Sequence, residues 1–208
     1  MMKKTCIVFF VLGIWSTVLG EYPSSEAIYR AIEKYSKNVQ IHFKTRTYLS
    51  MLEEWTTSSG SLEVSEDKYR FNTKGLEWVS NGDTMWKYSE DNTQIVISSS
   101  AGKEPPSKVL LDFLKGRVIS IKEVKQGVQV SLEPEGALDV YSKVEMLLEK
   151  ETYIPKQIHT WDDEDNQAVY VVEKITPNVS FSNEHFEFPV EEYTRKNSEI
   201  EVVNLTDE

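Results

Sequence analysis

Apolar residues recur along this chain at two spacings, and the change from one to the other divides it into elements. Ala27, Ile28, Ala31, Ile32 and Tyr35 fall at helical spacing over residues 24–36, with Ser24 or Ser25 placed to cap the first turn. From Val39 the period drops to two. Val39, Ile41, Phe43, Thr45, Thr47, Leu49 and Met51 take one face and Gln40, His42, Lys44, Arg46, Tyr48 and Ser50 the other, as in a long half-buried strand. Gly60, Leu62 and Val64 alternate next, then Tyr69, Phe71 and Thr73, each run bounded by polar or glycine-containing turns. Asn81-Gly82 predicts a hairpin between 76–80 and 83–88, because both residues accept the positive φ of a tight turn. A further strand is expected over 94–98.

The alternation stops at 99–107, where serines, Gly102 and Pro105-Pro106 intervene. Val109, Leu110, Leu111, Phe113 and Leu114 then crowd into a short apolar segment stopped by Gly116, which predicts a short helix over 107–115. Strand patterns resume at 118–124, 128–132, 140–148, 154–161 and 168–175, with turns at Gln126-Gly127 and within 162–166. About eleven strands, two short helical pieces and no alternation of helix with strand predict one antiparallel sheet curled into a barrel or half-barrel. From Val190 onward the chain is acidic and lacks a strong period, so a frayed tail is expected there.

Charge narrows the partners. The chain has 23 lysines and arginines against 34 acids, a formal charge of −11, which repels phosphate backbones and anionic lipid alike and argues against nucleic acid. Lys3 and Lys4, an apolar run over 7–15 too short to span a bilayer, and Val18-Leu19-Gly20 read as a secretory signal over 1–20. A folded domain over 21–193 and an acidic tail over 194–208 would follow, exported from the cytoplasm. The single cysteine, Cys6, would leave with the signal, which removes disulfides, cysteine-bound zinc and cysteine nucleophiles from the mature chain. The residue after the cleavage site is Glu21, not the cysteine that a lipid anchor requires.

Catalytic chemistry finds little to work with. His42, His159 and His185 lack metal-ligand spacing, and the acids of 162–166 lack the central glycine of a calcium loop, so a solvated turn is the plainer reading. No nucleophile elbow or phosphate-cradling glycine loop is present. Neither enzyme nor cofactor is expected. What remains is apolar: Phe43, Leu62, Val64, Phe71, Trp78 and Met85 lie on strand faces that a single sheet must cover, and Ile28, Ile32, Leu110, Leu111 and Leu114 on the two helices could form the cover. These residues either make an ordinary packed core or line an underfilled half-barrel, whose concave cavity would suit acyl chains.

The order of several stretches carries a resemblance. Gly60-Ser61-Leu62-Glu63-Val64 precedes Lys68-Tyr69-Arg70-Phe71; the Asn81-Gly82 hairpin carries Trp86-Lys87-Tyr88; Leu132-Glu133-Pro134, the hairpin over 158–170 and Phe186-Glu187-Phe188-Pro189 follow. In this order the chain resembles the periplasmic outer-membrane lipoprotein carrier family, LolA, over most of residues 25–193. The resemblance implies an incomplete, half-open antiparallel barrel of eleven strands with a helical lid. It further implies a monomer that carries acylated lipoproteins from an inner-membrane exporter to an outer-membrane acceptor, or else a lipid-binding or lipoprotein-sensing module on the same fold. One departure is plain. The family's Arg-Pro pair after the Gly-x-Leu-x-Val strand, whose arginine is associated with latching the lid, is replaced here by Ser65-Glu66-Asp67.

Overall fold

The computed structural model describes Glu26, Ile28 and Arg30 together with residues 37–100, 117–133 and 141–206. The expected signal at 1–20 and the short helix over 107–115 lie outside these residues, as does most of the helix over 24–36, of which Glu26, Ile28 and Arg30 are helical. Among the described residues twelve strands form one sheet that does not close. They are β1 (Val39–Leu49), β2 (Glu54–Ser65), β3 (Lys68–Thr73), β4 (Leu76–Ser80), β5 (Thr84–Ser89), β6 (Gln94–Ser99), β7 (Arg117–Val124), β8 (Gly127–Glu133), β9 (Lys143–Leu148), β10 (Pro155–Trp161), β11 (Gln167–Pro177) and β12 (Glu201–Asn204). The order across the sheet is β12-β6-β5-β4-β3-β2-β1-β11-β10-β9-β8-β7, so β1 is central and pairs with both β2 and β11.

The period of two became strands wherever apolar and polar residues alternate, because one face of each strand is buried and a shift of one residue would turn the wrong set inward. Two details differ from the pattern. The first strand ends at Leu49, with a turn over 50–53, and the second begins at Glu54, not Gly60. Residues 54–59 are mostly hydroxyl-bearing and exposed, so they offer no apolar contrast from which to read a strand. The expected β4–β5 turn forms, but only Gly82 takes a positive φ, at 99°; Asn81 serves instead through its side chain, whose Oδ1 accepts from the backbone N–H groups of Asp83 (3.0 Å) and Thr84 (2.8 Å). At the β7–β8 turn Gly127 has φ 151°, and a Cβ there would lie 1.9 Å from the Leu148 carbonyl oxygen, so no other residue fits.

The frayed tail is corrected. After a 3-10 turn over Asn183–Phe186, residues Val190–Lys196 form a helix, α1, and β12 adds to β6 in parallel, the one parallel pairing among strands that otherwise run antiparallel. With β12 the strands among the described residues number twelve, where about eleven were expected. Val79, Trp86, Ile95 and Phe188 are buried together, with Tyr88, Ile97, Val190, Tyr193 and Ile200 packed on them. Acidity made this segment look solvated, yet its few large apolar residues cover a face of the sheet.

Polar contacts hold this cover in place. Tyr193 Oη donates to Glu77 Oε2 at 2.7 Å, Arg70 lies 3.6 Å from the same carboxylate, and Arg70 Nη2 donates to the Glu187 carbonyl at 3.1 Å. Asn81 donates to Glu187, Lys68 to Asn183, and His185 Nε2 stands 2.6 Å from Glu63 Oε2. Glu77 is only 7% exposed, and a buried carboxylate is tolerated only with such partners. Burial, then the hydrogen bond to Glu77, pushes the Tyr193 hydroxyl far above the ordinary tyrosine range. Replacing Tyr193 by Phe leaves the ring contacts with Tyr88 and Phe188 but deprives a buried carboxylate of its donor, and should cost about 2 kcal/mol. Phe188→Ala should cost more, about 3 kcal/mol, through the cavity it opens. Urea unfolding of the two variants checks both values; a neutral Phe188→Ala would show that the C-terminal segment is only laid on the sheet.

Candidate functional site

Side chains on the opposite face of the sheet form two apolar clusters. One holds Val39, Phe43, Leu62, Val64, Tyr69 and Met85, all buried, with Ile41, Phe71, Trp78, Tyr170 and Ile175 half-buried against them. The six residues expected to line a cavity, Phe43, Leu62, Val64, Phe71, Trp78 and Met85, thus come together in a single cluster. Register explains it. Leu62 pairs with Phe71 and Phe71 with Trp78, while Val64 pairs with Tyr69, Tyr69 with Ser80 and Ser80 with Met85, so two rungs of the sheet put five of them on one side, and Phe43, paired with Gly60 one rung further along, joins them by the period of two.

The rings are arranged in a chain. Phe43 stacks on Phe71 with centroids 5.8 Å apart, Phe71 tilts against Trp78 at 5.7 Å, and the Lys87 ammonium sits 4.8 Å over Trp78 at the cluster's outer limit. Tyr69 donates to the Met85 sulfur at 3.1 Å, which satisfies a buried hydroxyl with a soft acceptor. Phe43 lies across Gly60, its partner in the ladder. A Cβ on Gly60 would fall 2.7 Å from the Phe43 ring and 2.5 Å from the Asn72 carbonyl oxygen, so the glycine is what lets the ring lie flat on the sheet.

The second cluster lies across β8, β9 and β10: Val128, Val130, Leu132, Val144, Met146, Leu148 and Ile158, with Ile28 of the N-terminal helix buried among them at 1% exposure. Of the expected lid residues, Ile28 is therefore placed, over this half of the sheet; Ile32, Leu110, Leu111 and Leu114 lie outside the described residues. Tyr170 belongs to both clusters and is the residue the sequence reading missed. It pairs with Ile158 on β10, and its ring meets Phe43 edge-on at 6.1 Å. Its place opposite Ile158 was the available signal. Burial, then the nearby Tyr141, raises its hydroxyl to about 12.

The other candidates take structural places. Among the described residues no group of His, Cys, Asp and Glu is arranged to hold a metal ion. The acidic 162–166 turn is closed by its own side chains: Asp162 Oδ1 accepts from the Glu164 and Asn166 N–H groups at 2.9 Å. His159 stacks on Trp161 at 3.5 Å and meets Gln167 at 3.1 Å, and desolvation lowers its pKa. Arg70, the arginine nearest in sequence to the replaced Arg-Pro pair, lies on the opposite face with Glu77, so it contacts neither apolar cluster. A groove of about 200 Å3 beside His159 is lined by the polar Gln126, Gln129, Glu145 and Gln157 together with Val124, Met146 and Leu147.

Two measurements probe this face. Gly60→Ala should destabilise by about 1–3 kcal/mol, because the methyl group must displace Phe43 or the β3 backbone; an unchanged urea midpoint would show that the ring is free to move. Tyr170 gives a pH signature. Its folded pKa of about 12 exceeds the ordinary 10.0, so the stabilisation it lends is complete below about pH 10 and is lost as pH rises toward 12. Tyr170→Phe should therefore lose less stability than the parent between about pH 9 and pH 11.5, measured by urea unfolding with phenolate absorbance recorded alongside.

Comparison with known proteins fits this architecture. Residues 34–189 match the family described as outer membrane lipoprotein carrier protein LolA. No curated protein sequence matches the chain. Among solved structures, an uncharacterised conserved protein from Thermus thermophilus superposes with a TM-score of 0.52 at 14% identity, over 86% of this chain and 99% of that one. A LolA superfamily protein from Nitrosomonas europaea gives 0.48 at 9% identity, over 81% and 99%, and LprF from Mycobacterium bovis gives 0.41 at 8%, over 77% and 98%. With the family match running from residue 34 to Pro189, across every strand from β1 to β11, the chain belongs to the LolA family of outer membrane lipoprotein carrier proteins.

Proposed function

We propose that this protein is a periplasmic carrier of acylated lipoproteins, which it accepts from an inner-membrane exporter and gives up to an outer-membrane acceptor, working as a monomer without a cofactor or a catalytic step. The observation that carries the reading is the continuous apolar face, from Met85 and Trp78 through Phe43 and Tyr170 to Ile158 and Leu132, on a sheet that does not close. Acyl chains need such a surface and little else. The family match supports the cargo class, and no helix among the described residues is long and apolar enough to cross a membrane.

Magnitudes shape the mechanism. At about 0.8 kcal/mol per buried methylene, the acyl chains of one lipoprotein would release some tens of kcal/mol on leaving water, and a carrier that kept all of it could never deliver. The Phe43–Phe71–Trp78 rings already satisfy one another, so cargo must displace contacts that the empty protein makes. That exchange lowers the net affinity to a value between those of donor and acceptor. Ile28 and the helix that bears it, with Ile32, Leu110, Leu111 and Leu114, would form the movable cover.

Purified protein should extract a lipoprotein from inner-membrane vesicles bearing the exporter, keep it in solution, and release it to membranes bearing the acceptor. Phe71→Asp, which sets a charge among the rings, should cut extraction by roughly tenfold or more. Extraction without delivery would favour a sensing role on the same fold, and failure to extract any lipoprotein would refute the carrier reading.

A further inference from the structure

The long hairpin of β1 and β2 leaves part of its second strand open. β3 pairs with β2 only from Gly60 to Ser65, whereas β2 begins at Glu54, so residues 54–59 have β1 on one side and no strand on the other among the described residues. Ser65 and Lys68 close a two-residue turn, which sets the alternation of backbone groups: Ser65, Glu63 and Ser61 point theirs toward β3, and by the same period Ser59, Thr57 and Trp55 point theirs at the open edge. The Ser59 carbonyl confirms the parity, since it accepts from Thr73 Oγ1 at 3.2 Å across the end of β3. Trp55, Thr56 and Thr57 are exposed.

Open edges are normally blunted by lysine, proline or a bulge, because they template pairing with another chain. Residues 55–59, Trp-Thr-Thr-Ser-Ser, carry none of these and no charge. The edge also leads somewhere. One residue beyond it, Gly60 lies under Phe43, and on that face Thr45, Thr47, Thr56 and Ser58 line the hairpin up to the apolar cluster. An extended chain laid along the edge would therefore run from the hairpin tip to the rings.

We propose that this edge binds the extended peptide that follows the acylated residue of the cargo, adding it as a strand beside β2 while the acyl chains occupy the Phe43 cluster; this rests on the carrier reading above. The five residues from Trp55 to Ser59 span about 17 Å, enough to pair a tether of four or five residues. Main-chain pairing reads no particular side chains, so one edge serves cargoes of different sequence. A bare edge suits that purpose, and a gatekeeping lysine would defeat it.

The test compares two probes, a di- or triacylated cysteine with its carboxyl amidated and the same group followed by an eight-residue uncharged peptide. The wild-type chain should bind the lipopeptide roughly tenfold more tightly than the acyl-only probe, and the amide protons of Trp55 and Thr57 should exchange more slowly with the lipopeptide alone. Thr57→Pro, which removes an edge-facing N–H, should abolish the difference while leaving acyl-only binding unchanged. N-methylation of alternate tether residues gives the same test without touching the fold: one register of methyl groups should abolish the gain and the other should not. Equal affinity for both probes, or equal tolerance of both methylation registers, would overturn the edge alone. Failure of the acyl-only probe to bind would overturn the carrier reading and this inference with it. A wild-type dimer dissolved by Thr57→Pro would assign the edge to a second copy and overturn the proposal.

Discussion

A single open sheet of twelve strands has two faces and two ends, and every other feature of this molecule answers the need to cover them. A closed barrel would hide its edges and fill its own interior, and a sandwich would lend each sheet a partner. Neither is available here. The face bearing Val79, Trp86 and Ile95 is covered by the C-terminal segment, and the face bearing Phe43, Met85 and Val130 by its own large side chains and by Ile28. Tyr170, on a strand that pairs with β1 and β10, keeps the two halves of the second face continuous.

Much of this was legible in the sequence because strand parity is a strong signal. Phe43, Leu62, Val64, Phe71, Trp78 and Met85 could be assigned to faces from a period of two, and hairpin pairing then brings them to one side without further information. Three things were not legible, each for a physical reason. Residues 54–59 form a strand with neither face buried, so hydroxyl and hydroxyl alternate and the period vanishes. Residues 190–204 are acidic and contain a helix of only two turns, too short for a moment to show, and their fold is set by the exposed apolar face they land on. Arg70 sat close to the place of the family's latch in sequence, yet one step of strand alternation puts it through the sheet to the far side.

The C-terminal cover extends beyond the stretch that matches the family, since α1 and β12 begin after Pro189. Val190, Tyr193 and Ile200 of this added stretch pack on the cluster of Val79, Trp86, Ile95 and Phe188. The added layer also tethers β6, which would otherwise be an end of the sheet: β12 pairs with it from Gln94 to Ile97, and a strand of four residues presents a smaller open edge than a strand of six.

The two covers differ in kind, and the difference decides which face can exchange ligand. Across the outer face, Tyr193 to Glu77, Arg70 to Glu187, Asn81 to Glu187 and His185 to Glu63 are directional contacts that lifting the segment would break together, leaving Glu77 buried without its donor. Nothing apolar that might enter could replace them. Over the inner face the described cover, Ile28, is held among Val130, Met146 and Ile158 by non-directional packing. Hydrocarbon replaces such contacts at little cost, because one methylene against Phe71 or Met146 is much like another. On the carrier reading proposed above, the inner face would trade its own cover for acyl chains while the outer face keeps the sheet in register, which is the division of labour a carrier requires.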